Sequence, residues 1–152
     1  VSDSQKGTTA ANAPATTGEQ SGPASKLGFV AGQVIQEFGW DSDVDDDFRF
    51  AVEDITTTEL EDEDYTGVAD GVIMWWRDED GDLTDALVDV LTPLAEGGCI
   101  ALLTPKPGRA GEVDPSEVEE AAVTSGLHFS GTVNACPDWL ATRLVAPKSA
   151  RR

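Results

Sequence analysis

Residues 68–105 alternate between two kinds of buried pattern, and that alternation restricts the fold more than anything else in the chain. Val68-Ala-Asp-Gly-Val-Ile-Met-Trp-Trp76 is nearly all apolar, as a strand covered on both faces must be. Leu83, Ala86, Leu87, Val90, Leu91 and Leu94 recur at helical spacing, which predicts a helix over 83–96 with Pro93 in its last turn. Gly97-Gly98 supplies a left-handed stop, and Cys99-Ile-Ala-Leu-Leu-Thr-Pro105 begins a second buried strand. Strand, helix and strand at this spacing form a parallel crossover unit of an α/β sheet.

The flanking segments extend that sheet. Val34-Ile-Gln-Glu-Phe-Gly39 reads as a short buried strand entered through a Gly-containing turn. Phe48, Phe50, Ala51 and Ile55 fit a helix over 45–55, with aspartates at its N-terminus complementing the helix dipole. Residues 61–64 are an acidic loop. Asp114 caps a helix that starts at Pro115 and ends at Gly126. Residues 127–135 and 140–146 are joined by so short a connection that they pair as an antiparallel hairpin. Residues 1–25 hold no large apolar side chain after Val1, so they read as a disordered tail, a tether rather than a module. This leaves an α/β domain at 26–148 and a basic tail at 149–152.

Charge narrows the partners. The 152 residues carry 29 Asp and Glu against 10 Lys and Arg, a formal charge of −19. A surface that acidic repels phosphate, which argues against nucleic acid and against an anionic membrane. No apolar run approaches the roughly 20 residues of a spanning helix, and the first residues show no secretory pattern, so a cytoplasmic protein is expected. Two cysteines and one histidine make a poor zinc set, and Cys99 reads as a buried apolar residue. Asp78, Asp80 and Asp82 are spaced like a calcium loop, but its glycine and glutamate positions hold Leu83 and Asp89, so Asp82 reads as a helix cap. His128 stands without a catalytic partner and reads as partly buried. No metal or cofactor is implied by these residues.

The order of elements resembles the C-terminal half of class I methyltransferases. Glu96-Gly-Gly-Cys-Ile-Ala-Leu-Leu-Thr104 is similar to the turn and fifth strand of that family, and the last hairpin to its sixth and seventh strands. The resemblance implies a three-layer Rossmann-like α/β sheet with a terminal antiparallel hairpin. It also implies an acid and a Gly-x-Gly-x-Gly turn after the first strand, where backbone approaches the cofactor. Glu37 and Gly39 match the acid and the first glycine, whereas Asp41 and Asp43 stand at the other two. Only about 30 residues separate the first strand from residue 68, where a full fold fits two strands and two helices. Residues 26–148 further resemble a family of small actinobacterial proteins of unknown function. Gln33-Val-Ile-Gln-Glu-Phe-Gly-Trp-Asp41, Trp75-Trp-Arg77, Asp80-Gly-Asp-Leu-Thr-Asp85, Leu102-Leu-Thr-Pro-Lys106, Asp138-Trp139 and Thr142-Arg-Leu-Val145 carry that likeness. It implies a cytoplasmic location and brings no activity.

In open α/β sheets, ligands sit beyond the carboxyl ends of the parallel strands. Glu37, Gly39, Trp40, Trp76, Arg77, Lys106, Arg109 and Trp139 are expected to converge there as an edge for a ligand or a protein partner, with no catalytic residue assigned. Two functions remain at this stage. One is a non-enzymatic binding or regulatory module. The other is an enzyme or sensor for an unidentified small molecule, nucleotide-like or S-adenosylmethionine.

Overall fold

A computed structural model of the chain describes residues 24–147. Three parallel strands, β1 (Ile35–Phe38), β2 (Ala69–Trp75) and β3 (Leu94–Pro105), are followed by an antiparallel pair, β4 (His128–Val133) and β5 (Trp139–Val145). The order across the sheet is β1-β2-β3-β5-β4. Helix α1 (Asp46–Thr56) follows β1, α2 (Leu83–Leu91) follows β2 and α3 (Pro115–Ser125) follows β3. Among the described residues no helix is long and apolar enough to cross a membrane.

Alternation along the strands sorts the core into two layers. Val72, Met74, Trp76, Ile100 and Leu102 face α2 and α3 through Leu83, Leu87, Val118 and Ala122. Ile73, Trp75, Ala101 and Leu103 face the other way, onto Phe48 and Val52 of α1 and onto Leu27 and Phe29. Trp75 is fully buried, with Phe48 and Trp139 edge-on to its ring at centroid distances of 6.0 and 5.0 Å.

Three boundaries differ from the sequence reading. The helix expected over 83–96 ends at Leu91, and residues 94–96 already belong to β3. Pro93 has no N–H to continue the helix and restricts Thr92 before it; its carbonyl instead accepts from Ala69 N at 2.8 Å. Gly97-Gly98 is therefore no helix stop but an irregularity within β3. A Cβ on Gly98 would lie 2.7 Å from the Asp70 carbonyl oxygen, so the close approach of β2 requires glycine there. At the N-terminal side, Ala24, placed in the expected tail, is buried against the α1 face with Leu27 and Phe29. The remainder of the expected tail, residues 1–23, and the basic tail 149–152 lie outside the described residues.

Candidate functional site

The parallel strands all end on one side of the sheet, and β1 ends first, at Phe38, with Gly39 opening the turn after it. Gly39 has φ +76°, and a Cβ there would sit 2.2 Å from the Trp75 carbonyl oxygen, so the turn passes directly over the end of β2. Trp40 leaves that turn 56% exposed. Together with Phe38, Met74, Trp76 and Val90 these residues line a cleft of about 520 Å³ between the strand ends and α2. Its rim is acidic, formed by Asp41, Glu63, Asp80 and Asp89.

Of the expected edge residues, Gly39, Trp40, Trp76 and Arg77 line this cleft. Trp76 is 8% exposed, and its Nε1 has no hydrogen-bond partner among the described residues. Arg77 is buried and turned inward. Its guanidinium donates twice to the Asp43 carboxylate, to the Gly39 carbonyl at 2.8 Å and to the Trp75 carbonyl at 3.3 Å. It also lies 5.2 Å from the Trp139 ring centroid and reaches Asp80. Burial works against its charge, but the hydrogen bonds to Asp43 and Asp80 outweigh burial and hold its pKa above the ordinary arginine value. The same contact holds the Asp43 carboxyl below the usual carboxylate range. Trp139 is buried behind this pair, donating from Nε1 to the Asp43 carbonyl at 3.2 Å.

Glu37 sits apart from the cleft, on the α1 side. It is 6% exposed and accepts twice from Arg49 of α1, at 2.7 and 2.9 Å, and once from Trp75 Nε1 at 2.9 Å. That partnership raises the Arg49 pKa, the Glu37 hydrogen bond being its largest cause. Lys106 and Arg109 belong to the loop after β3. Lys106 N donates to the Asp138 carbonyl, and Arg109 pairs with the Asp138 carboxylate at 2.7 Å on the surface. Neither lines the cleft. Three of the four basic groups expected or found here, Arg49, Arg77 and Arg109, are thus committed to the protein's own carboxylates.

Sequence reasoning missed Glu63. Its carboxylate accepts from Gly39 N at 2.8 Å and so occupies the backbone donor of the β1 turn. Beside it, Glu61 forms a single parallel bridge with β1, receiving from Glu37 N at 2.8 Å and donating to the Ile35 carbonyl at 2.9 Å. A strand pattern of one residue leaves no periodic signal. His128 is exposed on β4, at the opposite edge of the sheet, rather than partly buried. Asp82 caps α2 through Asp85 N at 3.1 Å, and among the described residues no cluster of three or more metal-ligating side chains occurs.

Strand order and crossover pattern define a Rossmann-like α/β domain whose fold resembles that of methyltransferases. The precorrin-6y C5,15-methyltransferase of Geobacter metallireducens superposes with a TM-score of 0.59 at 10% identity, over 84% of this chain and 87% of that one. An S-adenosylmethionine-dependent methyltransferase of Mesorhizobium loti does so with a TM-score of 0.57 at 13% identity, over 82% and 95%. At that identity the likeness is one of fold. The chain itself belongs to the family described as a protein of unknown function, DUF3052, whose pattern matches residues 24–148. An uncharacterised protein of Mycobacterium tuberculosis is 53% identical over 126 residues, covering 83% of this chain and 79% of that protein.

Proposed function

We propose that this chain is a non-catalytic binding or regulatory module on a degenerate methyltransferase-like scaffold. The observation that carries this reading is the internal closure of the β1 turn. The Gly39 N–H is taken by Glu63, and Arg77 ties the same turn to Asp43. The backbone donor and the nearest cation that could meet an anionic cofactor group are therefore already partnered. Asp41 and Glu63 add repulsion where a cofactor carboxylate would lie. A cytoplasmic location is part of the proposal. Cys99 and Cys136 are both free thiols, as a reducing compartment keeps them.

A second reading, a small-molecule-binding enzyme or sensor, is favoured by the cleft itself. Its volume of about 520 Å³ falls in the range of ligand pockets, roughly 300–1,000 Å³. Its acidic rim suits a cationic ligand better than a nucleotide.

A thermal-shift screen of the full chain against S-adenosylmethionine, its demethylated product and common nucleotides separates the two. The module reading expects no shift. A ligand at 100 times its Kd stabilises by about 2.7 kcal/mol, which is roughly 5–10 °C for a domain of this size. A shift of that size, absent in Trp40→Ala, would establish the second reading instead.

A further inference from the structure

Among the described residues the chain places α1 and no further strand between β1 and β2, and α1 packs on the opposite face, so the α2-facing side of β1 has no covering helix. Phe38, on that side, is only partly buried. The strand-end cleft continues past it into a second cavity of about 580 Å³, lined by Gln36, Tyr65, Val68 and Pro93 among others. Phe38, Glu63 and Asp89 line both cavities, so the two form one groove along β1 and α2.

Two buried side-chain polar atoms lack a partner among the described residues, and both belong to the walls of this groove. Gln36, 1% exposed, uses its Nε2 on the carbonyls of Asp62 and Tyr65, at 3.0 and 3.2 Å, and leaves Oε1 unpaired. Trp76 leaves its indole N–H unpaired. Both atoms are covered in this structure, so an occupant reaches them once the groove wall opens, and it must then supply both a donor and an acceptor. A peptide backbone does so, with N–H for Gln36 and C=O for Trp76.

Charge selects the side chains. Asp41, Glu63 and Asp89 stand along the groove with no basic side chain set against them, since Arg77 is spent on Asp43 and Asp80. The exposed Trp40 ring and Val68 (66% exposed) offer apolar and cation–π contact for the stem of a Lys or Arg. The Glu61 bridge covers the outer edge of β1, so an occupant lies on the face of the sheet rather than adding a strand to it.

We propose that this groove receives a short extended segment of a partner protein that carries Lys or Arg beside an apolar residue. The proposal rests on the binding-module reading and names the chemistry of its partner.

Fluorescence anisotropy of the full chain, at about 0.15 M salt, tests it. The probes are a labelled Gly-Lys-Arg-Leu-Arg-Lys-Gly peptide and its Gly-Glu-Asp-Leu-Asp-Glu-Gly counterpart. The basic peptide is expected to bind and the acidic one not. Asp89→Lys and Trp40→Ala, both at exposed positions, are expected to weaken binding about tenfold with unchanged thermal midpoints. Asp54→Lys on α1 makes the same charge change on the other face of the sheet and is expected to leave affinity nearly intact. Equal binding of both peptides, or equal loss in Asp54→Lys and Asp89→Lys, would overturn the proposal, the second by assigning the attraction to net charge alone. S-adenosylmethionine is the last arm. Its displacement of the peptide would overturn the module reading as well, whereas binding of neither probe nor cofactor would remove the peptide groove and leave that reading standing.

Discussion

Gly39 shows how much of the strand-end geometry hangs on single residues. Its positive φ and the 2.2 Å approach a Cβ would make to the Trp75 carbonyl leave no room for a side chain. Gly39→Ala is therefore expected to destabilise the fold by more than about 3 kcal/mol in urea unfolding, because strain and a backbone clash add. A loss under about 1 kcal/mol would mean the turn can move away from β2. Asp43, two residues into the positions where the methyltransferase likeness implies glycine, acts through Arg77. Its folded-state pKa lies below the unfolded one, chiefly through the Arg77 hydrogen bond. The pair thus stabilises the fold fully above the ordinary carboxylate pKa of about 3.9 and loses that contribution as pH falls through the lowered value. The Asp43 side chain is 53% exposed, so solvent screening makes the effect modest. Asp43→Asn is expected to lower the thermal midpoint at pH 7, with the gap to the parent closing below about pH 4. A gap independent of pH would show that the carboxylate charge carries none of it. Gly39 was legible through the methyltransferase likeness, as the first turn glycine after Glu37. The inward turn of Arg77 was not, because its partners Asp43 and Asp80 lie among many acids that look alike in sequence.

At the scale of elements, β1 poses the clearest problem. A four-residue strand at the edge of a sheet presents unpaired N–H and C=O groups. One residue, Glu61, answers for both Ile35 and Glu37, and Glu63 answers for Gly39. Glu61→Pro removes the N–H that reaches the Ile35 carbonyl and keeps the carbonyl that receives from Glu37. It is expected to cost about 1–2 kcal/mol and to bring concentration-dependent self-association in sedimentation velocity, as a bared edge does. A variant that stays monomeric with unchanged stability would show that the bridge protects nothing. In the sequence α1 and α2 were readable from near-3.6 periodicity, α3 from the Asp114 cap, Pro115 and Gly126, and the last two strands from their short connection. The sequence misled at residues 92–98, where Leu94 continues the helical spacing of α2 by coincidence. Pro93 decides that boundary, and the Gly-Gly pair then serves the close approach of β3 to β2.

The whole molecule combines a shortened sheet with a large excess of acid. The shortening was visible as a spacing, about 30 residues between β1 and β2, and the groove it leaves beside Phe38 is its structural consequence. The site was less legible, since a groove is made by what is missing from a face and not by a motif. The acid excess, 29 against 10, has a thermodynamic consequence of its own. Self-repulsion opposes the compact state, while the ion pairs Arg49–Glu37 and Arg77–Asp43 favour it. Salt acts on the two unequally. The long-range repulsion is screened as the Debye length falls from about 30 Å at 0.01 M to about 10 Å at 0.1 M, whereas contact pairs with one partner buried lose less. Arg109–Asp138, more than half exposed on both sides, contributes little at any salt. Added sodium chloride is thus expected to raise the thermal midpoint over that range. Relief of about 1 kcal/mol would appear as roughly 2–4 °C. A midpoint that falls instead would mean that the internal pairs outweigh the repulsion of the whole surface. In that case Arg77→Met should weaken the salt dependence, with Arg49–Glu37 carrying the rest.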